Sequence, residues 1–223
     1  MARMNQQEFL EKLNNNQLVL SLIGMSNIGK SHWSKKLTGI GFNHMDCDGR
    51  IGNKLKQKSI KIRDGTAGLA EWMGYPHEER FAHTQAEYLN TEKEVIMEII
   101  DELEKGIPSN TAIDTSGSFI YTEQKVREDI REKSLIVYIK APKEMREKMF
   151  KKFMENPKPV IWGDIYKKRE DESGTDALAR CYPDLLDYRF KLYEECADIS
   201  IPYESIYQKV DTAGFLELIK NQL

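Results

Sequence analysis

Apolar residues in this chain fall into short unbroken runs separated by longer stretches with helical spacing. LVLSLI (18–23) has no polar face of its own, the pattern of a strand covered on both sides. FNHM (42–45), TAID (111–114), SLIVYIK (134–140) and DISIP (198–202) predict four further strands. Between them the spacing is helical. Phe9, Leu10 and Leu13 predict an N-terminal helix within 5–16, and KSHWSKKL (30–37) predicts another directly after a Gly-rich turn. Residues 53–101 are mostly helical and polar, with a break at GYPHEE (74–79). The clearest helix is EYLNTEKEVIMEIIDELEKG (87–106), striped by Leu89, Val95, Ile96, Ile99, Ile100 and Leu103 and closed by Gly106. Thr122 is expected to open a further helix, residues 143–155 form a basic one, and PDLLDYRFKLYEECA (183–197) precedes the last strand.

Strands that alternate with helices predict a single α/β domain with a central parallel sheet. Ligands of such sheets lie beyond the carboxyl ends of the strands. Three polar turns, at 24–31, 46–49 and 114–118, each follow a predicted strand and are therefore expected to converge on one cleft. Asp46 and Asp48 are two positions apart at a strand end, where extended geometry points both side chains the same way.

The first of these turns carries the most specific chemistry. GMSNIGKS matches G-x-x-x-x-G-K-[ST] at Gly24, Gly29, Lys30 and Ser31, between an apolar strand and a helix. Its backbone N–H groups form a nest for anionic oxygens, and the following helix N-terminus adds partial positive charge. The expected nucleotide contacts run through Gly24, Met25, Ser26, Asn27, Ile28, Gly29, Lys30, Ser31 and His32. Lys30 reaches the β- and γ-phosphates of ATP, and Ser31 ligates Mg²⁺.

Composition narrows the classes without choosing among them. The 223 residues are 40% apolar and 31% charged with a net charge of −3, so no general attraction for nucleic acid or an anionic membrane is expected. No apolar run approaches the roughly 20 residues that span a bilayer, and the N-terminal stretch lacks the apolar core of a secretory signal. Three cysteines without C-x-x-C pairing fit free thiols in a reducing cytoplasm, and His77 and His83 lack a third ligand for zinc. The basic run KEMREKMFKK (143–152) reads as a solvated face. The expected partner is a small-molecule acceptor, and the expected state is a monomer or weak dimer.

Two classes of phosphate-loop protein compete for the pattern. DTSG (114–117) fits the D-x-x-G of a GTPase, but there is no N-K-x-D guanine reader, since Asn53-Lys54 continues as Leu55-Lys56. DCD (46–48) instead supplies the carboxylates that a small-molecule kinase needs beside its acceptor. Asp114 ends an apolar strand like a Walker-B carboxylate and competes with Asp46 for the Mg²⁺ role.

Over nearly its whole length beyond the N-terminal helix the chain resembles the shikimate kinase family, and more loosely gluconate and nucleoside monophosphate kinases. IGMSNIGKSHWSKKL looks like the family's phosphate loop, HMDCD its D-x-D, and IDTSGSFI its triple-glycine turn. KPVI resembles the Arg-Pro-Leu-Leu of its lid, and RFKLYEECADISI its Arg-x-x-Leu-Tyr-x-x-x-Ala-Asp segment. The resemblance implies a five-stranded sheet in the order 2-3-1-4-5, with a substrate-binding segment near 53–101 and a lid near 150–180. It implies that Asp46 orients the Mg²⁺ shell and that Asp48 holds the acceptor hydroxyl and accepts its proton. By the same likeness Arg189 grips the acceptor together with the Ser116-Gly117-Ser118 turn. Lys158 takes the lid arginine's place, and Lys151 packs on the adenine ring.

The acceptor site departs from that pattern. Leu89 occupies the position of one of the family's two carboxylate-binding arginines, and Ser116 and Ser118 replace two of three glycines. A sugar acid, nucleoside or nucleotide acceptor therefore stays open beside shikimate, as does a nucleotide-binding module without catalysis.

Overall fold

The computed structural model describes residues 4–58, 61–155, 158–207 and 210–223. Five strands, β1 (Val19–Ile23), β2 (Asn43–Asp46), β3 (Thr111–Asp114), β4 (Leu135–Lys140) and β5 (Ile199–Pro202), form one sheet in the order β2-β3-β1-β4-β5. All four pairings are parallel. β1 is central and buried at every position, which is why its sequence shows no alternation.

Among the described residues, ten helices connect or flank these strands: α1 (Gln6–Asn14), α2 (Lys30–Thr38), α3 (Cys47–Gln57), α4 (Gly65–Met73), α5 (Phe81–Glu104), α6 (Gln124–Lys133), α7 (Arg146–Glu155), α8 (Gly174–Cys196), α9 (Tyr203–Tyr207) and α10 (Thr212–Lys220). A side-chain clamp closes the sheet at its amino end. Asn110 accepts from the Leu18 N–H at 2.8 Å and donates to the Leu13 carbonyl at 2.9 Å, tying α1 to the first and third strands.

Four expectations are corrected. Asp46 does not continue as strand into Asp48. Its side chain accepts from the Gly49 N–H at 3.0 Å and caps α3, so Asp48 lies in the first helical turn. The long helix α5 starts at Phe81, six residues earlier than its apolar stripe indicates, because Phe81, Thr84 and Tyr88 extend the buried face. Thr122 does not open α6. Its hydroxyl donates to the Phe119 carbonyl of a preceding 3-10 turn, and the helix begins at Gln124. Helix α8 runs through Pro183 instead of starting there. Buried Ala177, Leu178, Cys181, Tyr182, Leu185 and Leu186 carry one apolar face across the proline, and that packing outweighs one lost backbone hydrogen bond. Helices α9 and α10, beyond the last predicted strand, were not foreseen. Phe215 of α10 stacks on Trp33 of α2 with ring centroids 4.2 Å apart.

Candidate active site

The three polar turns meet at the carboxyl end of the sheet. Gly24 leaves β1 with φ +144°, and a Cβ there would lie 2.8 Å from the Ile139 carbonyl oxygen, so the position demands glycine. Gly29 has φ +107° and forms the N-cap of α2 without a side-chain cap, which leaves the first N–H groups of that helix facing the loop. Lys30 is 6% exposed and folds back over the loop, its Nζ donating to the carbonyls of Gly24 at 2.8 Å and Met25 at 3.2 Å. Burial lowers its pKa, while Asp114 and Asp48 oppose that shift.

Three carboxylates surround the start of α2. Asp46 and Asp114 are paired in register at the ends of adjacent strands. Asp114 is hydrogen-bonded to Ser31, and burial raises its pKa despite that bond. Asp48 accepts from the Tyr88 hydroxyl at 3.4 Å. Burial pushes its carboxyl up to about 6; Lys30 opposes this, and the charges of Asp114 and Asp46 add to it. Ser31, Asp46, Asp48 and Asp114 line one cavity of about 340 Å³ together with Asn53 and Thr66. No cluster of three or more His, Cys, Asp or Glu among the described residues could hold a metal unaided. A hydroxyl and two carboxylates in this arrangement suit Mg²⁺, which is typically held by one or two carboxylates with phosphate oxygens and water completing the shell.

The turn after β3 faces these groups from the other side. The Thr115 hydroxyl donates to the Leu22 carbonyl at 2.8 Å and holds the turn to the central strand. The Gly117 carbonyl accepts from the Arg189 guanidinium and from the Tyr193 hydroxyl, the latter at 2.6 Å. Arg189 is only 5% exposed, and its Nη2 also donates to the Tyr193 oxygen at 3.0 Å. Together with Met25, Ser26, Asn27 and Lys158 it lines a second, smaller cavity of about 70 Å³. Lys158 donates to the Thr66 hydroxyl at 2.5 Å, linking the segment after α7 to α4.

Some expected residues stand elsewhere. Lys151 points to solvent, its side chain 78% exposed and 3.8 Å from Glu155; Lys148 and Lys152 of the same helix line the smaller cavity instead. The basic run is therefore only partly a solvated face. Leu89 packs partly buried against the core. Arg80 makes up no deficit of positive charge, being held at the surface by Glu78 and the Glu71 carbonyl. A third cavity, of about 330 Å³, opens beside the amino end of α2 between Asn27, His32 and the rings of Tyr203 and Tyr207.

Sequence reasoning missed Tyr88, Glu92, Tyr193, Tyr203 and Tyr207. For Glu92 a signal existed, a charged residue within the apolar face of Tyr88, Val95, Ile96 and Ile99. It is wholly buried and accepts from the Ser116 hydroxyl. Burial raises its pKa to about 7, against the hydrogen bonds from Ser116 and Ser118.

No protein-family model and no curated protein matches the sequence. Solved structures do match. The shikimate kinase from Acinetobacter baumannii in complex with shikimate is 18% identical, with a TM-score of 0.58 over 92% of this chain and 93% of that one. The shikimate kinase from Bacteroides thetaiotaomicron is 12% identical, with a TM-score of 0.57 over 92% and 97%. Dephospho-CoA kinase from Campylobacter jejuni is 14% identical, with a TM-score of 0.52 over 92% and 98%. With its sheet order and phosphate loop, the chain has the fold of the shikimate kinases and other P-loop kinases.

Proposed function

We propose that the protein is a nucleotide-dependent kinase that transfers the γ-phosphoryl group of ATP to a hydroxyl of a small polar acceptor. The observation that carries this reading is the convergence of Lys30, Ser31, Asp46, Asp48 and Asp114 at one end of the sheet. Inward N–H groups of residues 24–31 and the Lys30 ammonium hold phosphate oxygens, for which Lys30 gives up its carbonyl partners. Ser31 with Asp46 or Asp114 would hold Mg²⁺, which would supply positive charge against the phosphates when bound.

The acceptor oxygen attacks the γ-phosphorus, the bond to the β–γ bridging oxygen breaks, and ADP leaves. The hydroxyl proton passes to Asp48, whose raised pKa makes it a better base than an ordinary aspartate while leaving it mostly ionised at neutral pH. Lys158 closes over the phosphates from the segment after α7 and excludes water, which would otherwise compete as acceptor. For the nucleobase, the cavity walled by His32, Tyr203 and Tyr207 fits better than the surface at Lys151.

The test is a coupled ADP-release screen across shikimate, sugar acids, sugars, nucleosides and nucleoside monophosphates. At least one acceptor should raise ADP release far above the rate with water, and Lys30→Ala should lower that rate by several orders of magnitude. ATP binding without turnover of any acceptor would instead make the chain a nucleotide-binding module.

A further inference from the structure

The basic stretch after β4 does not spend all of its charge on solvent. Met145, Lys148, Met149, Lys152 and Phe153 recur at spacings of three and four, so they share one face along α7, and that face lines the smaller cavity beside the phosphate loop. Methionine and phenylalanine make this wall apolar, and the two lysines stand within it. Helix α8 supplies the facing wall with Tyr182, Leu186 and Arg189. Phe153 stacks on Tyr182 with ring centroids 5.1 Å apart, which joins the two walls.

The charges in this cavity are all of one sign. Lys148, Lys152, Lys158 and Arg189 line it, and among the described residues no aspartate or glutamate does. Lys148 and Lys152 have no carboxylate partner among the described residues, whereas Lys151 between them stands 3.8 Å from Glu155. Arg189 is sealed from water. Its Nη2 meets only the neutral Gly117 carbonyl and Tyr193 hydroxyl, and its Nε has no partner. A buried guanidinium without an opposite charge is costly, and an anion in the cavity supplies that charge. The cavity meets the phosphate loop at Met25, Ser26 and Asn27, and Asn27 also borders the cavity of His32, Tyr203 and Tyr207. The two cavities thus lie on different elements around one loop, with room for a second molecule beside the nucleotide.

We infer that this cavity binds a small organic anion with an apolar body, a carboxylate or phosphate monoester carried on a ring or branched chain, and that Lys148 and Lys152 select it. That this molecule is the phosphoryl acceptor rests on the kinase reading; that it binds does not. A polyol here would leave hydroxyls without partners against Met149 and Phe153, and a triphosphate would press charged oxygens on the same wall. An apolar body fills the wall while its anion meets the lysines and Arg189, and the methionines adapt to its shape.

The experiment titrates the full chain by calorimetry, with and without a non-hydrolysable ATP analogue and Mg²⁺, using probes that change one feature each. Mandelate carries a ring and a carboxylate, mandelamide keeps the ring without the charge, and lactate keeps the charge without the ring. Phenyl phosphate presents the other form of the anion. Mandelate or phenyl phosphate should bind about ten-fold or more tighter than both mandelamide and lactate, the scale of one hydrogen bond to a charged group. The tighter of the two anions identifies the source of the charge. Lys148→Met/Lys152→Met exchanges two exposed lysines for apolar residues of similar length, and its fold is checked by circular dichroism. In this variant the anion's advantage should fall by about ten-fold, with affinity for the ATP analogue unchanged. The inference is overturned if mandelamide or lactate binds as tightly as the anions with a ring, or if no probe binds. It is equally overturned if the folded double variant keeps the anion's advantage or loses affinity for the ATP analogue. Selective anion binding without ADP release from any hydroxyl acceptor keeps the inference and defeats the kinase reading; turnover of an acceptor without anion binding does the reverse.

Discussion

Glu92 shows how a single side chain sets a cost that the rest of the core must carry. In the unfolded chain its carboxyl has the ordinary pKa of 4.5, and in the fold burial raises it to about 7. The folded state therefore holds an extra proton between those values. The stability this contributes is full below about pH 4.5 and is lost as the pH rises through 7. Glu92→Gln cannot ionise, so it should lack this decline. We expect urea unfolding of the wild-type chain to lose on the order of 2 kcal/mol relative to the variant between pH 4.5 and 8. Parallel pH profiles for the two proteins would contradict that burial. Asp48 predicts a separate signature in catalysis. With its pKa near 6, kcat/KM should rise with pH through that value, because only the ionised carboxylate accepts the acceptor proton.

At the scale of elements, the junction of β2 and α3 combines two jobs in Asp46. It caps the helix through the Gly49 N–H and stands beside Asp114 at the strand ends. Asparagine caps as well as aspartate but carries no charge. Asp46→Asn should therefore leave stability within about 0.5 kcal/mol while raising the Mg²⁺ concentration needed for half-maximal activity; Asp46→Ala should also cost about 1 kcal/mol of unfolding free energy. Chemical denaturation and Mg²⁺ titration of both variants separate the roles, and a large stability loss in Asp46→Asn would deny the cap. The same junction explains one misreading of the sequence. Period-2 geometry was assigned across DCD because both acids follow an apolar run, yet capping by the first acid makes the second helical. Helices α5 and α8 were recognisable but misbounded. Their ends are set by buried faces contributed by Phe81, Thr84 and Ala177, which are too sparse to register as a stripe.

Over the whole molecule, three separate stretches are brought around the phosphate loop: α3 to α5, the turn after β3, and α7 to α8. Lys158 and Thr66 join the first and last of these at 2.5 Å. Trp162 anchors the same segment, buried beside Phe153, Tyr166 and Tyr182. If that contact helps to exclude water, Lys158→Ala should lower kcat by about ten-fold or more and raise the share of ADP formed without phosphorylated acceptor. Parallel assays of ADP and product read that share; an unchanged rate and a one-to-one ratio would reduce Lys158 to a surface tie.

The phosphate loop and the parallel sheet were legible from the chain's own pattern, whereas the strand order was implied by the resemblance to shikimate kinases. A nest of N–H groups needs only contiguous residues, and strand–helix alternation needs only local periodicity to indicate a parallel sheet. The acceptor side was not legible in this way. Whether Glu92 is solvated or sealed, whether Lys151 or Lys148 faces the cavity, and whether Arg80 reaches the site all depend on which helix faces meet. Burial and charge compensation arise between segments distant in sequence, so only the packed structure decides them.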